Sequence, residues 1–142
     1  MKQQNLKNHG KWVIGYHLIT FLAILTLIIG SIRGFLKSSD DNLYSASLLV
    51  LISFILLFMF YFVRSFALKA QDRAIRAEEK LRYFILTGKA LSSKITTRQI
   101  IGLRFASDDE FPTLVEKAEK ESLSEKDIKT AIQNWKEDLY RA

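Results

Sequence analysis

A chain of 142 residues with no cysteine and a formal net charge of +6 has the length of one ordinary domain. It offers no disulfide framework, no thiolate metal site and no cysteine nucleophile. The surplus of Lys and Arg leaves nucleic acid or an anionic membrane surface as candidate polyanions, and the placement of the charge decides between them.

In chain order, the first element is the apolar stretch Trp12–Phe35, whose core Leu18–Ile29 carries no charge. A polar turn, Lys37–Asn42, separates it from a second stretch, Leu43–Val63, that holds no Asp, Glu, Lys or Arg. Crossing a hydrocarbon core of about 30 Å takes roughly 20 helical residues, which both stretches supply. Spans at about 12–35 and 43–63 are therefore expected to form a transmembrane hairpin. A cleaved signal peptide is a poorer account of the first, because its apolar region is too long and no A-x-A-like site follows.

Orientation follows from the basic residues. Lys2, Lys7 and Lys11 precede the first span, and Arg64, Lys69, Arg73, Arg76, Lys80 and Arg82 follow the second. The turn has only Arg33 and Lys37 near it, beside Asp40 and Asp41. By the positive-inside rule both termini are cytoplasmic and the turn lies outside. Trp12 and Tyr16 on one helix, and Tyr61, Phe62 and Phe66 on the other, suit a single interfacial level. Gly30-x-x-x-Gly34 permits close backbone approach, so Gly30, Gly34 and Ala46 are the expected hairpin-packing residues. His17 is read as an interfacial polar residue, with no second His or carboxylate at metal spacing.

The second helix meets no breaker before Gly88, which suits a C′ cap. The span should thus continue into the cytoplasm as a rod, with Asp72/Arg76 and Glu78/Arg82 at ion-pair spacing. Along it Val63, Ala67, Ala70, Ala74, Ala77, Leu81 and Phe84 alternate by four and three residues. That is a coiled-coil-like seam, and these residues are the candidates for self-association or partner binding. Lys11, Arg64, Lys69 and Arg73 form a basic collar suited to anionic lipid headgroups.

Three short helices should follow. Thr96 and Gln99 form a capping box, with Ile95 and Ile100 as its hydrophobic staple. The next helix starts either at Ser107, with Glu110 as box partner, or at Pro112. The last starts at Ser124 with Asp127 at N3. Ile128, Ala131, Ile132, Trp135 and Leu139 then fall on one helical face. The expected fold is all-α, with a hairpin over 1–63, a juxtamembrane rod over 64–88 and a small cytoplasmic helical domain over 89–142.

The distal helices resemble a helix-turn-helix in outline, but their charge has the wrong sign for DNA. Residues 107–142 hold six basic and ten acidic side chains, whereas residues 64–104 hold ten basic and three acidic. Nucleic acid is not an expected partner. No phosphate-binding glycine loop, zinc-protease helix, nucleophile elbow or calcium loop occurs. Asp108, Asp109 and Glu110 suit the N-terminus of a helix better than a metal. Neither catalytic nor metal-binding residues are assigned, and no cofactor is expected.

Val63–Phe111 (VRSFALKAQDRAIRAEEKLRYFILTGKALSSKITTRQIIGLRFASDDEF), with the opening QNLKNHGKW and the closing SEKDIKTAIQNW, resembles a family of small bacterial membrane proteins known only as a domain of unknown function. The resemblance covers nearly the whole chain. It implies a two-span topology and a bacterial source, and no activity or substrate.

The expectation is a membrane-anchored, non-enzymatic interaction or scaffold module of the bacterial inner membrane. Its partners would be anionic lipids and either a second copy or another membrane protein. The alternative is a small oligomeric channel or transport accessory, for which the spans offer only Thr20, Thr26, Ser47 and Ser53 as pore-lining polar groups.

Overall fold

The computed structural model describes residues 5, 6, 10 and 12–138. Lys2, Lys7, His9, Lys11 and Leu139 lie outside the described residues. Among those described there are five α-helices and no strand: α1 (Phe21–Leu36), α2 (Leu43–Thr87), α3 (Thr97–Leu103), α4 (Phe111–Lys120) and α5 (Glu125–Ala131). A π-helical turn, Gly15–Thr20, leads into α1, and a 3-10 turn, Asp40–Asn42, leads into α2. Residues 12–67 form one unit, and residues 68 onward belong to another.

In the first unit two helices are long and apolar enough to cross a membrane, Gly15–Leu36 and the helix that starts at Asp40. The first begins later than its apolar run: Trp12 and Val13 are not helical, and the opening turn is wide. Thr20 Oγ1 donates to Gly15 O at 2.9 Å across that turn.

Large apolar side chains cover the outside of both helices, Ile29, Leu51, Phe58 and Met59 among them. The contact between the helices is narrow and partly polar. Ser31 and Ser53 are buried, with Ser31 Oγ donating to Ser53 Oγ at 3.3 Å. Ser53 donates in turn to Val50 O at 2.7 Å within its own helix. Near the other end the Tyr16 hydroxyl donates to Phe60 O, and the two rings stack at 4.4 Å between centroids.

The glycines do not make this contact. Gly30 and Gly34 are exposed, and a Cβ built on either meets nothing within 4 Å. Ala46 is half-buried, as are Ser47 and Val50. The expected Gly30/Gly34 packing face is therefore corrected to a register in which Ser31, one residue along, faces the second helix. At 3.6 residues per turn Gly30 lies about 100° and Gly34 about 60° round the helix from Ser31, and both glycines fall outside the contact.

In the second unit, α2 ends where its sequence says it should. Gly88 takes φ +69, and its N–H donates to Phe84 O at 2.8 Å, the C′ geometry that a side chain would oppose. The core is one cluster in which Ile75 and Tyr83 of α2 join Ile95, Ile100, Leu103, Phe105, Phe111, Val115 and Ile128. The distal helices thus pack on the same chain's α2.

Both capping boxes are present. Thr96 Oγ1 accepts from Gln99 N at 3.3 Å, and Gln99 Oε1 accepts from Thr96 N at 2.8 Å. Ser124 and Asp127 repeat the pattern. Helix α4 starts at Phe111 with Pro112 in its first turn, which resolves the two possible starts in favour of the proline. Glu110 still reaches back to Ser107 N at 3.3 Å, half of the other box.

The last helix is shorter than its periodicity predicts. It ends at Ala131, and Ile132 is extended at φ −64, ψ 125. The chain beyond pairs with the segment before α4: Ser107 N donates to Asn134 O at 3.0 Å and Lys136 N to Phe105 O at 2.7 Å. The Glu110 carboxylate accepts from Gln133 N and Asn134 N, both at 3.1 Å. Six backbone groups thereby find partners outside a helix, which outweighs the local preference to continue one. Trp135 reaches the core from this bridge, its ring 5.1 Å from that of Phe105.

Candidate interaction surface

Beyond Leu68, α2 presents two stripes with opposite fates. One carries Ile75, Glu79 and Tyr83, all under a tenth exposed. The acidic and apolar parts of the distal domain cover it. Tyr83 meets the Phe111 ring edge-on at 6.2 Å, and the Arg82 guanidinium lies over the same ring at 4.3 Å. Arg82 also holds Asp108 at 2.6 Å and Glu79 at 3.0 Å, and it donates to Ala106 O at 2.7 Å.

Glu78 was the expected partner of Arg82. The structure gives it Glu79 and Asp108 instead, because Glu79 lies on the covered stripe and Glu78 on the exposed side. A buried carboxylate such as Glu79 is stabilised only when a cation and hydrogen bonds compensate its lost hydration. Arg82 supplies both. This cluster could not be read from helical spacing alone, since Asp108 comes from outside the helix. Of the acidic triplet, Asp108 is held by Arg82 and Glu110 by backbone N–H groups. Both carboxylates have structural partners.

The other stripe is the seam. Ala67, Ala70, Ala74, Ala77, Leu81 and Phe84 are all exposed, Leu81 at 60% and Phe84 at 54%. Ile85 beside them is 71% exposed. At 3.6 residues per turn the centre of this stripe lies about 150° round the helix from Ile75 and Glu79. Folding of the distal domain therefore leaves it bare. Contiguous exposed apolar surface of this kind makes the stripe a candidate contact site.

The basic collar is less uniform. Arg64 is half-buried, and Lys69 and Arg73 are exposed. Several basic residues pair with acidic ones inside the second unit. Lys94 meets Glu119 at 3.9 Å, Arg98 meets Glu125 at 3.5 Å and Arg104 meets Asp138 at 3.2 Å. The acidic distal helices thus find part of their countercharge in the same chain.

What these features define is an all-helical chain with two helices apolar enough to span a membrane and a small helical domain packed on one side of the second. It belongs to a family of unknown function, DUF6526, whose family model covers residues 1–142. No curated protein and no solved structure matches it.

Proposed function

We propose that the chain is a membrane-anchored, non-enzymatic interaction module. The hairpin is its anchor in a bacterial inner membrane, with both termini cytoplasmic and residues 37–42 outside. The bare stripe of α2 is its working surface, and it binds a second copy or another membrane protein. Arg64 and Lys69, with Lys11, meet anionic headgroups at about 1 kcal/mol per well-placed cation.

The observation that carries this reading is the division of labour on α2. The same helix has one stripe fully covered by its own domain and another, Ala67 to Phe84, left exposed with large apolar residues at its end. A helix needed only to hold the domain would gain nothing from an apolar second face, and charged residues there would improve solubility. Alanine at four successive seam positions lets a partner helix approach closely.

The test is the mass of the full-length protein in a mild detergent. The wild type is expected to run above the monomer, or with a partner, and Ala74→Arg to run as the bare monomer. A wild type that is monomeric and unchanged by Ala74→Arg contradicts the proposal.

A further inference from the structure

Three charged residues border the bare stripe, and their arrangement selects its occupant. In heptad terms Ala74 and Leu81 occupy a positions, and Ala70, Ala77 and Phe84 occupy d positions, since the steps alternate three and four. Arg73 and Lys80 then fall at g on one border, and Glu78 at e on the other. Arg73, Glu78 and Lys80 are all exposed. Arg73 and Glu78 form no ion pair among the described residues, whereas nearby Arg82 is fully engaged.

We infer that the occupant is a second copy of this chain, packed parallel and in register, with Arg73 of each copy against Glu78 of the other. This rests on the proposed function and narrows it. In a parallel two-stranded coiled coil a g residue faces the e residue five positions on in the other strand. Arg73 and Glu78 are five apart, so the symmetric pair makes two such bridges. An antiparallel pair would instead bring g borders together, Arg73 and Lys80 against their like, which is repulsive. Two copies anchored by identical hairpins are parallel in any case.

At the core of the pair Ala70, Ala74 and Ala77 meet their counterparts with little bulk between the backbones. Leu81 and Phe84 close the far end, and there the pair covers the largest apolar side chains left bare on this stripe. The inference also moves Arg73 from the lipid collar to the interface between copies.

The chain has no cysteine, so a single introduced thiol reports one position. Full-length protein in membranes carrying Ala77→Cys is oxidised, with Glu116→Cys, exposed on α4, as control. The expected result is a disulfide-linked dimer from Ala77→Cys and little from Glu116→Cys. In the Ala77→Cys background, Arg73→Glu or Glu78→Arg alone lowers the dimer yield about tenfold, since each turns two attractions into two repulsions. Mixing those two variants restores dimers, because each then meets its opposite charge.

Absence of the disulfide-linked dimer, or charge variants that neither weaken nor rescue one another, overturns the inference. If the dimer is absent while Ala74→Arg still lowers the mass in detergent, the second copy is excluded and the interaction surface stands. If both experiments are negative, the surface falls as well.

Discussion

Gln99 shows how much one side chain does in the second unit. Its capping-box role can be read three residues from Thr96. The structure adds that its amide nitrogen donates to Ala118 O at 3.2 Å and to Leu123 O at 3.0 Å, at the end of α4. Gln99 is buried, so Gln99→Ala takes the side-chain partner from Leu123 O and from Thr96 N, while Ala118 O keeps the bond from Leu123 N. The expected cost is about 1–3 kcal/mol. It is measured by chemical denaturation of the full chain in detergent, following Trp135 fluorescence in a Trp12→Phe background. An unchanged midpoint would show that water replaces these bonds without cost.

Gly102 is a second such residue, for a different reason. A Cβ there would stand 3.1 Å from Glu125 O and 3.3 Å from Ile128 Cγ2, so α3 and α5 pack closely because this position has no side chain. Gly102→Ala should destabilise the domain by about 1–3 kcal/mol, the usual range for overpacking. The same denaturation assay reads it, and a midpoint equal to the wild type would mean that α5 yields freely.

At the scale of elements, legibility tracked local chemistry. The end of α2 at Gly88 and the starts of α3 and α5 were readable because each boundary is written within four or five residues. Three things were not. The hairpin register is not legible because small residues permit close approach without requiring it, and the buried serines carry no stronger signal in the sequence. The end of α5 is not legible because the hydrogen bonds that stop it come from residues 105–110, a partner that periodicity cannot see. The covered stripe of α2 was hidden because Ile75, Glu79 and Tyr83 mix an acid with two large apolar residues, whereas the seam announces itself by regular spacing.

The hairpin register has its own check. Paired Ser31→Cys and Ser53→Cys should form an intramolecular disulfide, given hydroxyls 3.3 Å apart. Adding Gly34→Leu should leave its yield unchanged, since that position opens on free space. A lost disulfide would show that the glycine approaches the second helix after all.

For the whole molecule, one helix, Leu43–Thr87, supplies both an apolar segment and part of the small domain. The proposed role needs the hairpin to lie in a membrane and the domain to face the cytoplasm. That orientation rests on the asymmetry of Lys and Arg about the spans. Labelling single cysteines with a membrane-impermeant maleimide tests it most directly, using Ser39→Cys in the turn and Ser93→Cys after α2, both at exposed positions. The account predicts that Ser39→Cys is labelled on intact cells and Ser93→Cys only after the membrane is broken. Labelling of Ser93→Cys on intact cells, or recovery of the protein in the soluble fraction, would contradict it.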